Sequence, residues 1–228
     1  LFPEDLSEAE EVVFNSSIRR VEAIKVRKFR DLELQTQSMP TPSPEKAAAL
    51  LAGQVSQGTL KLKRWDTAVE NWITRLNFLS KQMPELGLPS ISNEDRKDLL
   101  EHICLGGFGY KDIKDRDPWP VLRSWLSTEQ SAALDYYAPE HIQLTEKRRC
   151  KVRYSEENAP IIAVRIQELY DVKKTPTLAE GKITIRLEIL APNQRPVQIT
   201  NNLEAFWTSA YPAIRKELAG RYPKHEWR

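Results

Sequence analysis

The stretch RPVQITNNLEAFWTSAYPAIRKELAGRYPKHEWR, residues 195–228, carries the densest structural signals in this sequence. Its first part alternates apolar and polar residues and predicts a strand, with Val197 and Ile199 facing inward. Asn201 and Glu204 follow with the spacing of a capping box, in which Asn201 is the N-cap. The sequence therefore predicts a strand that leads directly into a capped helix.

The rest of this stretch predicts an interrupted helix. Pro212 has no backbone N–H, so we expect the helix to kink or restart at Tyr211. Gly220 is placed to end the helix and to leave Arg221 and residues 222–225 as a short extended tail. A stripe at helical spacing predicts that Trp207 and Tyr211 are mostly core. The stripe consists of Leu203, Phe206, Trp207, Ala210, Tyr211, Ile214 and Leu218.

Upstream segments add further strands to this end of the chain. KITIRLEIL, residues 182–190, alternates strictly and predicts a strand, and the basic segment 147–155 is also strand-like. The segment 161–172 follows Pro160 and predicts a short helix. We therefore expect residues 139–228 to form an α+β domain, a small sheet packed with helices.

Residues 41–138 predict a helical region. It begins after the proline-rich linker SMPTPSPEK, where Ser43 and Pro44 mark a helix start. The glycines of GGFG match neither phosphate-binding loop pattern, so we expect them to end a helix. The predicted helices are 45–57, 66–82, 93–105, 118–126 and 128–137.

Residues 1–40 predict three antiparallel strands at about 10–15, 18–29 and 31–37. A sheet of three strands with two open edges is marginal on its own. Later strands must complete it, or the chain begins partway through a domain. The overall prediction is an α+β fold with an N-terminal strand segment, a central helical region and a C-terminal α+β domain.

Composition indicates a soluble globular protein. The 228 residues include 40% hydrophobic and 29% charged residues, and no apolar run approaches the roughly 20 residues that span a bilayer. Two cysteines, Cys104 and Cys150, are too few and too distant for a disulfide framework. We predict a cytoplasmic protein. Cys150 lies between basic residues that could lower its thiol pKa, but a buried or incidental thiol is the more ordinary interpretation.

Charge is divided unevenly along the chain. Residues 1–140 hold 18 Lys+Arg against 22 Asp+Glu, whereas residues 141–228 hold 16 against 10. The balance changes from −4 to +6. A basic segment of this kind is a hint of an anionic partner such as nucleic acid, but proteins that bind none also show it.

The sequence contains no catalytic motif. The three histidines are dispersed, and the GxSxG and SxxK patterns are absent. We therefore assign no catalytic, metal or cofactor residue. The candidate nucleic-acid-binding residues are Arg149, Lys151, Arg153, Arg195, Arg215, Lys216, Arg221, Tyr222, Lys224 and His225. The alternative for the strand residues is a solubilising face that blocks aggregation.

Several motifs resemble the C-terminal region of the bacterial ATP-dependent DExH-box helicase family HrpB. They are RPVQITNNLEAFW, YPAIRKELAGRYPKHEW, AVRIQELY with the following TP, PEHIQL, and VVFN with RRVEA near the start. The likeness covers essentially the whole chain and is strongest over 139–227. The chain departs from the family at HEWR, which replaces HPWP, and in lacking earlier strands, so we expect a fragment or excised domain.

The resemblance implies a non-motor part of an ATP-dependent helicase, and leaves open whether this chain alone is an enzyme. It implies that ATP and Mg²⁺ bind only in motor domains upstream, and that the opening strands are the end of an OB-like barrel. The expected partners are RNA or single-stranded nucleic acid and those motor domains, with no membrane. In the first interpretation the region contacts the nucleic-acid backbone and buttresses the motor. The alternative is a structural or protein-interaction module without direct nucleic-acid binding.

Overall fold

The computed structural model describes residues 6–39 and 41–228. Residues 1–5 and 40, which belong to the predicted first segment and linker, lie outside the described part. Two compact units are present. One holds the described residues up to Glu70 together with Ile91–Trp125, and the other holds Asn71–Ser90 and Leu126–Arg228. The division into domains at 1–40, 41–138 and 139–228 stays a prediction.

The elements follow in chain order. They are β1 Leu6–Asn15, β2 Arg20–Phe29, β3 Leu32–Met39, α1 Pro44–Ser56, α2 Thr67–Gln82, α3 Asn93–Cys104, α4 Tyr110–Ile113, α5 Trp119–Arg123, α6 Thr128–Tyr137, β4 His141–Thr145, β5 Arg148–Lys151, β6 Ile161–Arg165, β7 Thr177–Leu178, β8 Ile183–Thr184, β9 Arg186–Leu190, β10 Pro196–Thr200, α7 Leu203–Ala205 and α8 Tyr211–Arg221. Mixed helices and small, mainly antiparallel sheets confirm the α+β class.

The first unit opens with a three-stranded meander. β1 pairs with β2 and β2 with β3, all antiparallel. Val21 and Val26 of β2 are buried, whereas Leu32 and Leu34 of β3 are 64% and 53% exposed. The three predicted strands are confirmed, and their place in an OB-like barrel stays a prediction.

Helices α1 and α3 supply most of the core of this unit. Small residues Ala47, Ala48 and Ala52 are buried with Leu51 on one face of α1, as helical spacing requires. Ser43 caps α1 by accepting from the Lys46 backbone N–H. The predicted start of this helix is confirmed.

The predicted starts of α2 and α3 and the predicted end of α3 are also confirmed. Asp66 Oδ1 accepts the Ala68 N–H at 2.8 Å and caps α2. Ser92 forms a capping box with Asp95 at the start of α3. Gly106 adopts φ +75° directly after this helix, a conformation that favours glycine, so this glycine ends a helix as predicted.

The sheet of the second unit runs in the order β10, β9, β6. β9 pairs antiparallel with β10 and parallel with β6. Alternate residues Leu187 and Ile189 of β9 are fully buried, so the predicted apolar face of KITIRLEIL is confirmed. Strands β4 and β5 form a separate antiparallel hairpin.

The predicted helix at 161–172 is wrong. Residues 161–165 form β6, and only one turn of 3-10 helix follows at Ile166–Leu169. Ile162 and Val164 are both buried and pair with Leu187 and Ile189 of β9. Pairing of these branched side chains inside a sheet outweighs the weak helical signal.

Two details of the closing stretch are also corrected. Asn202, and not Asn201, is the N-cap, because its Oδ1 accepts the Ala205 N–H at 2.9 Å. Ile199 is 47% exposed and does not face inward. A register shift between Pro196 and Gln198 changes which side chains of β10 face the core.

The interruption of the last helix is present at the predicted place. A π-helical turn, Phe206–Ala210, separates α7 from α8, and the Tyr211 N–H donates to the Phe206 carbonyl. Widening this turn accommodates Pro212, which lacks an N–H and crowds the preceding turn. Gly220 does not end the helix, since α8 continues to Arg221 and Tyr222 is its C-cap.

Candidate nucleic-acid interface

The basic row lies on hairpin β4–β5 and its continuation. Cys150 and Val152 are buried, while Arg149, Lys151 and Arg153 are exposed. Strand alternation produces this division. The structure thus places these three predicted residues on one side of the segment.

Ion pairs divide the row into engaged and unengaged side chains. The Arg153 guanidinium pairs with Glu188 of β9, and neighbouring Arg148 lies 3.3 Å from Glu168. Within residues 6–39 and 41–228, neither Arg149 nor Lys151 forms an ion pair. Their charges are therefore open to an external anion.

Strand pairing adds two polar residues that the sequence prediction missed. Gln143 lies opposite Arg149 and His141 opposite Lys151 in the antiparallel register. Cross-strand partners are within reach of one another on a sheet face. In the sequence, the strand-like segment HIQL precedes the basic strand. The sequence alone does not show which residues of the two strands lie opposite each other.

A buried arginine, also missed from the sequence, supports the start of this hairpin. Arg75 of α2 is 3% exposed, and its Nε donates to the Ala138 carbonyl at 2.8 Å. Its two terminal nitrogens reach Asp135 at 2.6 Å and Glu140 at 3.0 Å. The sequence feature that could have identified Arg75 is its position among the apolar residues of α2.

Both cysteines are buried thiols. Burial raises the pKa of Cys104 to about 11. Burial also raises the pKa of Cys150, and this effect exceeds the lowering by the nearby Arg148. The interpretation of Cys150 as a buried thiol therefore fits the structure, and its basic neighbours do not activate it.

A second group of predicted residues lines a cleft between β10 and α8. The cleft has a volume of about 300 Å³, and Arg195, Arg221 and Tyr222 contribute to its wall. Glu217 also lines it and lies 3.3 Å from the Arg221 guanidinium. An acidic side chain inside the cleft reduces its attraction for phosphate.

The segment 222–228, which includes most of the predicted tail, contacts other residues of the second unit. The Tyr170 hydroxyl donates to the Glu226 carbonyl at 2.8 Å. The Arg228 guanidinium lies over the Tyr170 ring at 5.1 Å and pairs with Asp171 at 2.9 Å. Contacts with Tyr170 and Asp171, which the sequence did not predict, therefore hold this segment against the second unit.

The remaining predicted residues are on the surface near this segment. Arg215 donates to the Trp227 carbonyl at 3.4 Å, and Lys216 is exposed on α8. Lys224 and His225 are exposed within the bound segment, where the His225 ring contacts Tyr222 edge to face at 6.1 Å. Trp207 is half-buried and Tyr211 buried, as predicted.

The structure does not bring all ten predicted residues together. β9 and β6 lie between β10, which follows Arg195, and the basic segment, whose Arg153 pairs with Ile161 of β6. The candidates therefore form two groups at different edges of the sheet. In the described parts of the chain, no cluster of three metal-ligating side chains occurs, and no helix is long and apolar enough to cross a membrane.

The chain thus has an α+β fold with basic residues at two sheet edges. The model of the family described as ATP-dependent helicase C-terminal, HrpB_C, matches residues 100–228. The chain belongs to this family, since the match includes more than half of it.

Similar proteins of greater length support the same family assignment. The Escherichia coli (strain K12) ATP-dependent RNA helicase HrpB is 30% identical over 99% of this chain and 28% of its own length. The crystal structure of the E. coli DExH-box NTPase HrpB matches all of this chain and 29% of that chain, with 29% identity and a TM-score of 0.76. A crystal structure of the Escherichia coli DEAH/RHA helicase HrpB matches 98% of this chain and 29% of that chain, with 29% identity and a TM-score of 0.68. The chain thus spans less than a third of the relatives it matches.

Proposed function

We propose that this chain is the non-motor C-terminal region of an ATP-dependent RNA helicase, and that it holds the backbone of a nucleic-acid strand and buttresses the motor domains. The observation that carries the proposal is the pair of exposed cations on β5, Arg149 and Lys151, without ion pairs in the described parts of the chain. Lys and Arg contacts to phosphates supply sequence-independent affinity. Family membership supplies the helicase context.

The mechanism is electrostatic. Arg149 and Lys151 alternate along one strand face, about 7 Å apart for residues i and i+2, and contact phosphates of one strand. His141 stands opposite Lys151 and can donate a further hydrogen bond, whereas the Gln143 amide already donates to the Thr145 and Glu146 carbonyls. We expect ATP and Mg²⁺ to act only in the motor domains of the same polypeptide, and the whole protein to be cytoplasmic, as the buried, unpaired thiols favour.

Binding of a labelled single-stranded RNA oligonucleotide, measured by fluorescence anisotropy at low salt, tests this proposal. We expect Arg149→Glu/Lys151→Glu to weaken binding by at least about tenfold, since two phosphate contacts become repulsive. The matched control is Lys173→Glu/Lys174→Glu, two exposed lysines of the same unit, with an expected change below about threefold. No binding by the unaltered chain, or equal losses in both variants, would show the proposal to be wrong.

A second candidate function is a structural or protein-interaction module. The exposed apolar residues Leu32 and Leu34 on β3 favour it, because β2 is the only strand that pairs with β3 within residues 6–39 and 41–228. The same binding experiment separates the two functions, since this module requires no affinity for RNA.

A further inference from the structure

A cleft in the first unit combines an aromatic ring with a basic rim. Its volume is about 400 Å³, within the usual range of small-ligand sites. Its lining is partly apolar and partly polar. The apolar residues are Val55, Trp65 and Leu100, and the polar residues, called the rim below, are Ser56, Glu70, Asn93, Arg96 and Lys97.

The indole of Trp65 is held in a fixed orientation. Its Nε1–H donates to Glu70 Oε1 at 2.6 Å, and its ring packs against the buried core while also lining the cleft. Arg96 donates to both Glu70 oxygens at 3.1 and 3.0 Å. A hydrogen-bonded ring edge leaves ring surface in the cleft for stacking at little cost in side-chain entropy.

The charges of the rim select the ligand. The Glu70 carboxylate is neutralised by Arg96, and Lys97 adds a positive charge that forms no ion pair within residues 6–39 and 41–228. A cationic ligand is therefore disfavoured, and a flat aromatic ligand with an anionic group is favoured.

We propose that this cleft binds one nucleotide, with its base stacked on Trp65 and its phosphate beside Lys97. Stacking on an aromatic side chain and a nearby cation together hold single nucleotides without sequence preference. The nucleotide comes from solution as a mononucleotide or from a single strand that crosses the cleft. The site is independent of Arg149 and Lys151, which belong to the other unit.

The test uses the 228-residue chain labelled with ¹⁵N-tryptophan, whose six indole N–H resonances are followed by NMR. Trp65→Phe assigns one resonance to Trp65. Three probes are added separately: a mononucleotide (AMP or UMP), a single-stranded RNA hexamer and inorganic phosphate. We expect the Trp65 resonance to shift more than the other five with a nucleotide probe and to stay unchanged with phosphate alone.

Two lysine variants make the result quantitative. Lys97→Glu should weaken nucleotide binding about fivefold, the scale of one exposed ion pair. The control Lys46→Glu, an exposed helical lysine of the same unit outside the cleft, should change it by less than twofold. Arg149→Glu/Lys151→Glu should leave the mononucleotide shift at Trp65 intact, which separates this site from the proposed function.

The probes also distinguish the two sources of the nucleotide. A response to the mononucleotide identifies free nucleotide as a ligand, and a response to the hexamer alone identifies a strand. The proposal is overturned if neither nucleotide probe moves the Trp65 resonance, if phosphate alone moves it equally, or if Lys97→Glu and Lys46→Glu behave alike.

Discussion

The basic strand Arg148–Lys151 and the closing segment 221–228 are both clusters of Lys and Arg, but a larger share of the charges is paired in the closing segment. In the strand, Arg148 pairs with Glu168. Arg149 and Lys151 form no ion pair in the described ranges. Arg221 and Arg228, in contrast, pair with Glu217 and Asp171, and within the described ranges Lys224 is the one lysine or arginine of this segment without an ion pair. A cation already paired within the protein has less to gain from a phosphate, so the strand is the stronger candidate interface.

The first prediction concerns the buried arginine that supports the start of the basic hairpin. Arg75→Ala leaves the Ala138 carbonyl without its buried donor and creates a cavity. We expect it to lower the free energy of unfolding by about 3 kcal/mol. Urea denaturation measures this value. A loss below about 1 kcal/mol would contradict the supporting role of Arg75. The control is the substitution of the exposed Arg165, Arg165→Ala, which should lower the free energy of unfolding by less than about 0.5 kcal/mol.

The second prediction concerns the bound closing segment. Tyr170→Phe keeps the ring but removes the hydroxyl that donates to the Glu226 carbonyl. We expect faster hydrogen exchange and proteolysis within residues 222–228, for a local cost of about 1 kcal/mol. Tyr222→Phe is the matched control, since the Tyr222 hydroxyl makes no hydrogen bond to the described residues. Equal protection in both variants would mean that Tyr170 does not hold this segment.

The same contact predicts a pH dependence. Burial raises the pKa of Tyr170 above its usual value of 10.0. The unfolded chain therefore loses this proton at lower pH than the folded chain. The stabilisation from the hydroxyl is fully present below about pH 10 and is lost as pH rises through the raised folded pKa. Proteolysis of residues 222–228 should accelerate as the pH rises above about 10 in the unaltered chain, and it should accelerate less in Tyr170→Phe.

The third prediction releases paired arginines in each region. Glu188→Gln frees Arg153 beside Arg149 and Lys151, and we expect RNA affinity at low salt to rise about threefold, the scale of one exposed charge contact. Glu217→Gln frees Arg221 in the other group and should raise affinity less. Anisotropy titrations compare the two variants. A larger gain from Glu217→Gln would reverse the assignment of the interface.

Sequence reasoning located most elements because their signals are local. Ser43 and Ser92 mark helix starts through side-chain caps, and Pro212 marks the π turn through its missing N–H. Strand alternation likewise separated Arg149 from Cys150. Each of these features depends on residues within about one turn or one strand.

The errors involve partners distant in sequence. Residues 161–165 became a strand because β9 pairs with them, and Ile199 faces outward because of a register shift. The closing segment is bound by Tyr170, which lies 56 residues before Glu226. The pairing of Arg153 with Glu188 is of the same kind. No local pattern contains these contacts, so which basic residues are engaged required the structure.

The salt dependence of RNA binding measures whether Arg149 and Lys151 contact phosphates. For single strands, the slope of log Kobs against log salt concentration changes by about 0.7 for each phosphate contact. Arg149→Gln/Lys151→Gln should therefore reduce the steepness of the slope by about 1.4, twice that value, while Lys216→Gln/Lys224→Gln should leave it nearly unchanged. The opposite outcome, an unchanged slope in the strand variant and a reduced one in the other, would contradict the assignment of the interface to β5.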